Sequence, residues 1–411
     1  MQASKLKSAV LVYLAGILII HAVVFWSVRE SVRKGYSDFT IYYCAGTIVR
    51  QGHGHRLYDN ATQFEVQREF APEVATRLDA LPYNHPPFEA LLFTPFACLS
   101  YPSAFVIWTL ANLTMLISLP FLLRPHLPQL QNYPWPLWAL ASLAFFPIFL
   151  NMLQGQDAIL LLFLYTLAFV CLKKNRDAFA GGWLALGLFK PHLVLPFIFL
   201  LLVQGRKKIL YGFLPTATLL VLISAAIVGR EATLLYPRYV LHLEDTLAGG
   251  AIVPSDMPNL RGMLEVIFPD APHMLTAVLV TSLGLLLFTA CESYKSRRKN
   301  LFDLKYSLAA IATVLVSYHA MIYDLSILML PVFLLANELA GKGKFRGYRS
   351  VLMAAAVAIL FFAPLQLVLS VGDHRSAVLG WAVLLWWFGI AREISFRSFE
   401  NFELHNAGTN A

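Results

Sequence analysis

The stretch SDFTIYYCAG, Ser37 to Gly46, follows the first long apolar run of the chain and places a carboxylate, Asp38, at its start. The Tyr-, His- and Gly-rich residues after it are too polar to cross a bilayer, which sets Asp38 against a membrane surface. A lone carboxylate there is a candidate general base for a hydroxyl proton. Asp is also a favoured N-cap, so the same side chain can simply satisfy the first amides of a helix from Phe39 to about Arg50. Four later turns carry comparable chemistry: NMLQGQD (Asn151 to Asp157), FKPH (Phe189 to His192), MPNLRG (Met257 to Gly262) and SYHAMIYD (Ser317 to Asp324). Each puts amides, imidazoles or charges at the end of an apolar run, where ionisable groups are costly and tend to face an interior cavity. Taken singly each is also an ordinary polar turn; Lys190 can snorkel and His319 can cap its helix.

The elements that must position these residues are membrane helices. Of 411 residues, 58% are hydrophobic and 14% charged, and the mean hydropathy is +0.62. That excludes a soluble globular domain and defines an all-α polytopic membrane protein. The four cysteines, Cys44, Cys98, Cys171 and Cys291, have neither metal-ligand nor disulfide-framework spacing and read as small apolar fillers.

Twelve apolar segments are expected to span: Ser8 to Val28, Ser103 to Leu123, Tyr133 to Leu150, Ala158 to Leu172, Phe179 to Phe189, Leu193 to Val203, Ile209 to Val228, Met274 to Cys291, Leu304 to Tyr318, Ile322 to Leu339, Val351 to Val371 and Ala377 to Ala391. The first reads as retained rather than as a cleaved signal, because its apolar run is long and no A-x-A pattern closes it. Residues 29–102 form a polar first outer loop with an amphipathic piece near Ala61 to Leu78. In that loop Phe88 to Leu99, with Glu89 and Pro95, suits an interfacial helix better than a span. Residues 103–391 then form the bundle and 392–411 a cytoplasmic tail, all in one integral membrane domain. The two short segments flanking Lys190-Pro191 can alternatively be one broken helix, which changes the count to eleven.

Charge favours twelve. On that count the basic clusters Lys173-Lys174-Arg176, Arg206-Lys207-Lys208, Lys295-Arg297-Arg298-Lys299 and Lys342-Lys344-Arg346-Arg349 all fall in the cytoplasm with both termini. The outer loops collect Asp38, Asp59, Glu65, Glu69, Glu73, Asp79, Glu231, Glu244, Asp245, Asp256 and Asp270. This is the positive-inside pattern, and it accounts for the net charge of +8 without a nucleic-acid partner. It also gathers the Asp38 loop and all four polar turns on the outer face.

In order along the chain, DFTIYYCAG, GHGHRLYD, PYNHPP, LQGQDAILLL, GLFKPHLVLPFIFLLL, MPNLRG and SYHAMIYDLSILMLP resemble glycosyltransferase family 87, also called the DUF2029 family. The family includes bacterial polyprenyl-phosphate-mannose-dependent alpha-mannosyltransferases. The resemblance implies a GT-C fold with an outward-facing site in the cytoplasmic membrane. It implies a polyprenyl-phosphate sugar donor, a lipid or glycan acceptor, and an Asp of the first outer loop as catalytic base. Asp38 matches that Asp, and His319 matches a His of the family's late outer turn.

The residues fit such a reaction. A departing lipid phosphate needs a cation, and Lys190 and Arg261 are the best-placed ones. One displacement with Asp38 as base inverts the anomeric centre. Tyr42, Tyr43, His85, Gln154 and Gln156 offer the aromatic faces and hydrogen bonds that sugars need, and Asn259 and Asp324 stand in the same outer turns. Tyr42 and Tyr43 equally suit an interfacial aromatic belt. Asp38 lacks the second acidic residue with which some GT-C proteins hold a divalent ion, so no essential metal and no cofactor are expected. The competing class is a transporter or flippase of a lipid-linked solute; no repeat between the halves supports it, whereas the break at Lys190-Pro191 does.

Overall fold

A computed structural model of the chain describes residues 2–72, 81–246, 253–269, 271–295, 301–341, 347–369 and 375–409. Outside them lie Glu73, Asp79, Asp270, Arg297, Arg298, Lys299, Lys342, Lys344 and Arg346. Among the described residues there is no strand.

The first outer loop is built from short helices: α1 (Gln2–Arg33) leads through the Asp38 turn into α2 (Phe39–Arg50), α3 (Asn60–Phe70) and α4 (Pro87–Phe93). Asp59 caps α3 properly, its carboxylate accepting from the Thr62 amide at 3.0 Å. Pro86 and Pro87 start α4, and Phe96–Cys98 adds only one 3-10 turn, so this stretch is too short to span, as expected.

The bundle follows with α5 (Tyr101–Leu123), α6 (Trp135–Ala144), α7 (Phe146–Gln154), α8 (Ala158–Lys173), α9 (Asp177–Leu186), α10 (Pro191–Val203), α11 (Leu210–Val228), α12 (Arg230–Thr246), α13 (Leu260–Ile267) and α14 (Met274–Lys295). It closes with α15 (Phe302–Val316), a 3-10 stretch at Ile322–Leu328, α16 (Met329–Ala340), α17 (Tyr348–Phe361), α18 (Ala363–Leu367) and α19 (Leu379–Thr409). Each of the twelve expected segments falls mostly on helix among the described residues, which do not include Val371. By length and apolarity, 6 helices among the described residues can cross a membrane, or 7 with the bent pair α6–α7, and four more apolar helices are shorter.

Two expected spans are broken, each at a proline. The expected Tyr133 to Leu150 segment bends by 72° between α6 and α7. Pro147 has no N–H to give to the Leu143 carbonyl four residues back, and that carbonyl is met instead by His21 Nδ1 of α1 at 3.2 Å. Pro364 likewise ends α17, and Gln366 Nε2 donates to the freed Leu360 carbonyl at 3.2 Å. The last span was expected to stop at Ala391 before a tail; α19 instead continues as one helix to Thr409.

The segments flanking Lys190-Pro191 are two antiparallel helices rather than one broken helix. Arg206, just past the end of α10, lies 3.3 Å from Asp177 at the start of α9, so the chain has doubled back. Helices α8, α10 and α15 form the centre of the apolar core, with Tyr165, Phe197 and Tyr306 fully buried and stacked or edge-on to one another.

Candidate active site

Asp38 stands at the N-cap position of α2, yet its backbone is helical (φ −64°, ψ −18°) and its side chain makes no cap hydrogen bond. Its Oδ2 instead accepts from Gln156 Nε2 at 2.7 Å, and its amide donates to Gln154 Oε1 at 3.2 Å. The capping explanation for this carboxylate therefore fails on geometry.

The LQGQD turn delivers both glutamines because Gly155 ends α7 in the left-handed region (φ +65°). A Cβ at Gly155 would lie 2.7 Å from Cβ of Phe39, the residue after Asp38. Only glycine lets this turn reach Asp38. Asn151 fixes the turn from below, its Nδ2 donating to the Gln156 carbonyl at 3.0 Å and its Oδ1 accepting from the Ile159 amide.

Tyr42 lies one helical turn beyond Asp38, on the same face of α2. Its hydroxyl donates to Gln156 Oε1 at 2.6 Å and contacts His85 Nε2 at 3.2 Å. His85 Nδ1 is 2.7 Å from Glu89 Oε2 and 3.6 Å from Asp157 Oδ2. Lys190 Nζ sits between Asp157 Oδ1 at 2.9 Å and Asp324 Oδ1 at 3.0 Å, and the other Asp324 oxygen accepts from the Met321 amide at 2.8 Å. Five stretches distant in sequence thus share one polar chain. Asp38 is its half-buried end; His85, Glu89, Gln156, Asp157, Lys190 and Asp324 are all buried.

Burial, reinforced by the neighbouring Asp157 carboxylate, raises the Glu89 carboxyl well above the usual range. Burial opposes the charge of Asp157, but the Lys190 ammonium outweighs it and, with hydrogen bonds from Glu89 and Lys190, holds that carboxyl below its usual range. Burial also lowers His85 to about 3, so its imidazole is neutral. These states set the protons. The single Tyr42 proton goes to Gln156, so His85 donates from Nε2 to Tyr42, and the one Glu89 proton lies between the bare Nδ1, 2.7 Å away, and the Asp157 carboxylate. The donors run His85, Tyr42, Gln156, and all point toward Asp38, with the Glu89 proton behind them.

The other expected site residues divide. Arg261 is partly buried, its guanidinium 4.1 Å over the Tyr318 ring and its Nη1 3.4 Å from the Tyr318 carbonyl. His319 stands beside His192, their ring centres 6.4 Å apart. Asn259 is fully buried and committed to backbone: its Oδ1 caps α13 through the Gly262 amide, and its Nδ2 donates to the Ser317 carbonyl at 2.9 Å. Tyr43 points away from Asp38, donating to the Leu99 carbonyl at 2.7 Å and packing edge-on against Phe70 and Tyr101. Lys190 was expected to meet a phosphate; buried between two carboxylates, it is their counter-ion.

Glu89 and Asp157 were not among the expected site residues. The signal for Glu89 was its i,i+4 spacing from His85 across the proline pair, hidden because a lone Glu in a short apolar helix reads as interfacial. His85, Glu89 and Asp157 place one ligand atom each within 4.8 Å of one another, the one set among the described residues spaced to hold a metal ion. The Lys190 ammonium already supplies positive charge at Asp157.

The buried polar centre is carried by a bundle that includes helices long and apolar enough to cross a membrane. Comparison with known families is specific: glycosyltransferase family 87 matches residues 83–317, more than half of the chain. The chain belongs to glycosyltransferase family 87 and is a membrane glycosyltransferase. Neither the curated proteins nor the solved structures give a match. The matched residues include His85, Glu89, Gln154, Gln156, Asp157, Lys190, Asn259 and Arg261, whereas Asp38 precedes them.

Proposed function

We propose that this enzyme moves a hexose, mannose by the resemblance described above, from a polyprenyl-phosphate donor to a lipid-linked or glycan acceptor. The transfer takes place at the outer face of a bacterial cytoplasmic membrane, with inversion, and Asp38 is the general base. The observation that carries this reading is the half-buried Asp38 carboxylate, held by a Gln156 N–H rather than spent on helix capping. That N–H donor aims the carboxylate, which is what a positioned base requires.

In the reaction the acceptor O–H gives its proton to Asp38 while its oxygen attacks the anomeric carbon. The bond from that carbon to the phosphate oxygen breaks, and the phosphate leaves with the electron pair. Arg261 is the cation suited to it, because a guanidinium fork matches phosphate oxygens.

The test is transfer of labelled mannose from polyprenyl-phosphate-mannose by purified wild type and Asp38→Asn. The Asn carbonyl still accepts from Gln156, so the variant is expected to fold and to bind donor normally. Without a base, turnover is expected to fall by about a hundredfold or more. Near-normal turnover in the Asn variant removes Asp38 from the chemistry.

A further inference from the structure

An apolar groove with a cavity of about 640 Å³ lies between α1, α7 and α18. Its walls are two stripes at helical spacing, Val24, Val28 and Ser31 on α1 and Phe146, Leu150 and Leu153 on α7, with Leu367 and Val368 along one edge. The stripes face each other without filling the space between them, because Ser27 and Ser31 are small. Its volume falls within the range of small-molecule sites.

The groove ends at Ser37 and Gln154. Ser37 is covalently next to Asp38, and Gln154 Oε1 accepts the Asp38 amide at 3.2 Å. From Val24 to Ser31 the wall runs about 10 Å along α1, so a chain lying in the groove has its head at the candidate base.

We propose that this groove seats the hydrocarbon chain of the acceptor, which makes the acceptor a glycolipid. This rests on the assignment of Asp38 as base. In a single displacement the attacking oxygen and the leaving phosphate lie on opposite sides of the sugar. The base takes the proton of the attacking oxygen, so a groove opening beside Asp38 serves the acceptor side. The charge of the lining agrees: among its described residues there is no Lys or Arg to offset a phosphate, and the polar end offers only hydroxyls and an amide. Arg261, the candidate cation for the phosphate, is not among the lining residues.

The test uses the full-length enzyme in phosphatidylcholine vesicles with polyprenyl-phosphate-mannose and two acceptors, dodecyl α-mannoside and methyl α-mannoside. Leu150→Trp and Ser27→Leu fill the groove from opposite walls. Each is expected to raise KM for the dodecyl acceptor about tenfold while leaving transfer to the methyl acceptor and the donor KM within twofold. Unchanged use of the dodecyl acceptor overturns the proposal. Because a bulky variant can also misfold, wild type is photolabelled in parallel with a diazirine-bearing dodecyl mannoside and a diazirine-bearing polyprenyl phosphate. Labelling of α1 and α7 peptides by the mannoside, competed by unlabelled dodecyl mannoside, is expected. Labelling there by the polyprenyl phosphate, or label that bulk lipid displaces equally well, overturns it. If transfer occurs but the mannoside labels other helices, only the groove assignment falls. If the groove is labelled and Asp38→Asn still transfers, the assignment of the base falls instead.

Discussion

A neutral imidazole has one donor and one acceptor: at His85, Nε2 meets Tyr42 and Nδ1 lies 2.7 Å from the Glu89 carboxyl. That makes Glu89 a proton holder whose role is to orient the chain ending at Asp38. Glu89→Gln keeps an N–H for Nδ1 and is expected to retain turnover within about fivefold. Glu89→Ala leaves a buried nitrogen unpaired, at about 1–3 kcal/mol, and is expected to lose turnover more than tenfold with the donor KM little changed. The pH dependence has a definite sign. Because the Glu89 carboxyl is raised in the fold, its contribution to stability is complete below the ordinary Glu value of about 4.3 and is lost as pH rises toward the folded value. The Tm of wild type relative to Glu89→Gln is therefore expected to decline from pH 5 to pH 9. A constant difference, with equal activity in Gln and Ala variants, removes Glu89 from the network.

At the scale of elements, the turn between α7 and α8 carries most of the site. It holds Asp38 through Gln154 and Gln156, Tyr42 through Gln156, and Lys190 through Asp157. All of this depends on Gly155 at φ +65° against Phe39. Gly155→Ala adds both left-handed strain and a clash, a cost of about 1–3 kcal/mol, and displaces both glutamines together. Turnover is expected to fall at least tenfold in this variant. In the double variant with Gln156→Ala the loss should fall well short of the product of the two single losses, since both changes cut the Gln156 hydrogen bond. Additive losses in that cycle would mean that Gly155 acts on stability and not through the glutamine.

For the whole molecule, helices α8 and α10 share a polarity. Each begins at the polar site, at Asp157 and Lys190, and ends at a basic cluster, at Lys173 and Arg206. Lys173 pairs with Asp303 at 2.6 Å, and Arg206 lies over the Phe302 ring, so both clusters converge on the start of α15. A single basic end opposite a single site end is what the positive-inside pattern requires of these helices. Reporter tags at the amino terminus, near Arg206, near Arg298 and after Ala411 are expected to read cytoplasm, and tags near Asn60 and Ser255 the outer face. Arg206 and Arg298 on opposite sides would overturn the outward-facing site.

The sequence by itself determined the class, the helical segments and most of the polar turns, because bilayer length, charge asymmetry and proline are local signals. It also placed α2 from Phe39 to Arg50 and kept the stretch after Pro87 out of the span count. Only the tertiary structure decided what the polar residues do. Lys190, Asn259 and Tyr43 carry the same side chains whether they meet a sugar phosphate or a neighbouring helix. Their partners come from segments far off in the chain, as Asp38 is held by Gln156 at a separation of 118 residues. The broken spans were half legible: each proline announced a lost hydrogen bond. That His21 and Gln366 would meet the freed carbonyls depended on helices packed side by side. A charge or an amide can be read from one residue, but its satisfaction is a property of the pair, and pairs are made by the fold.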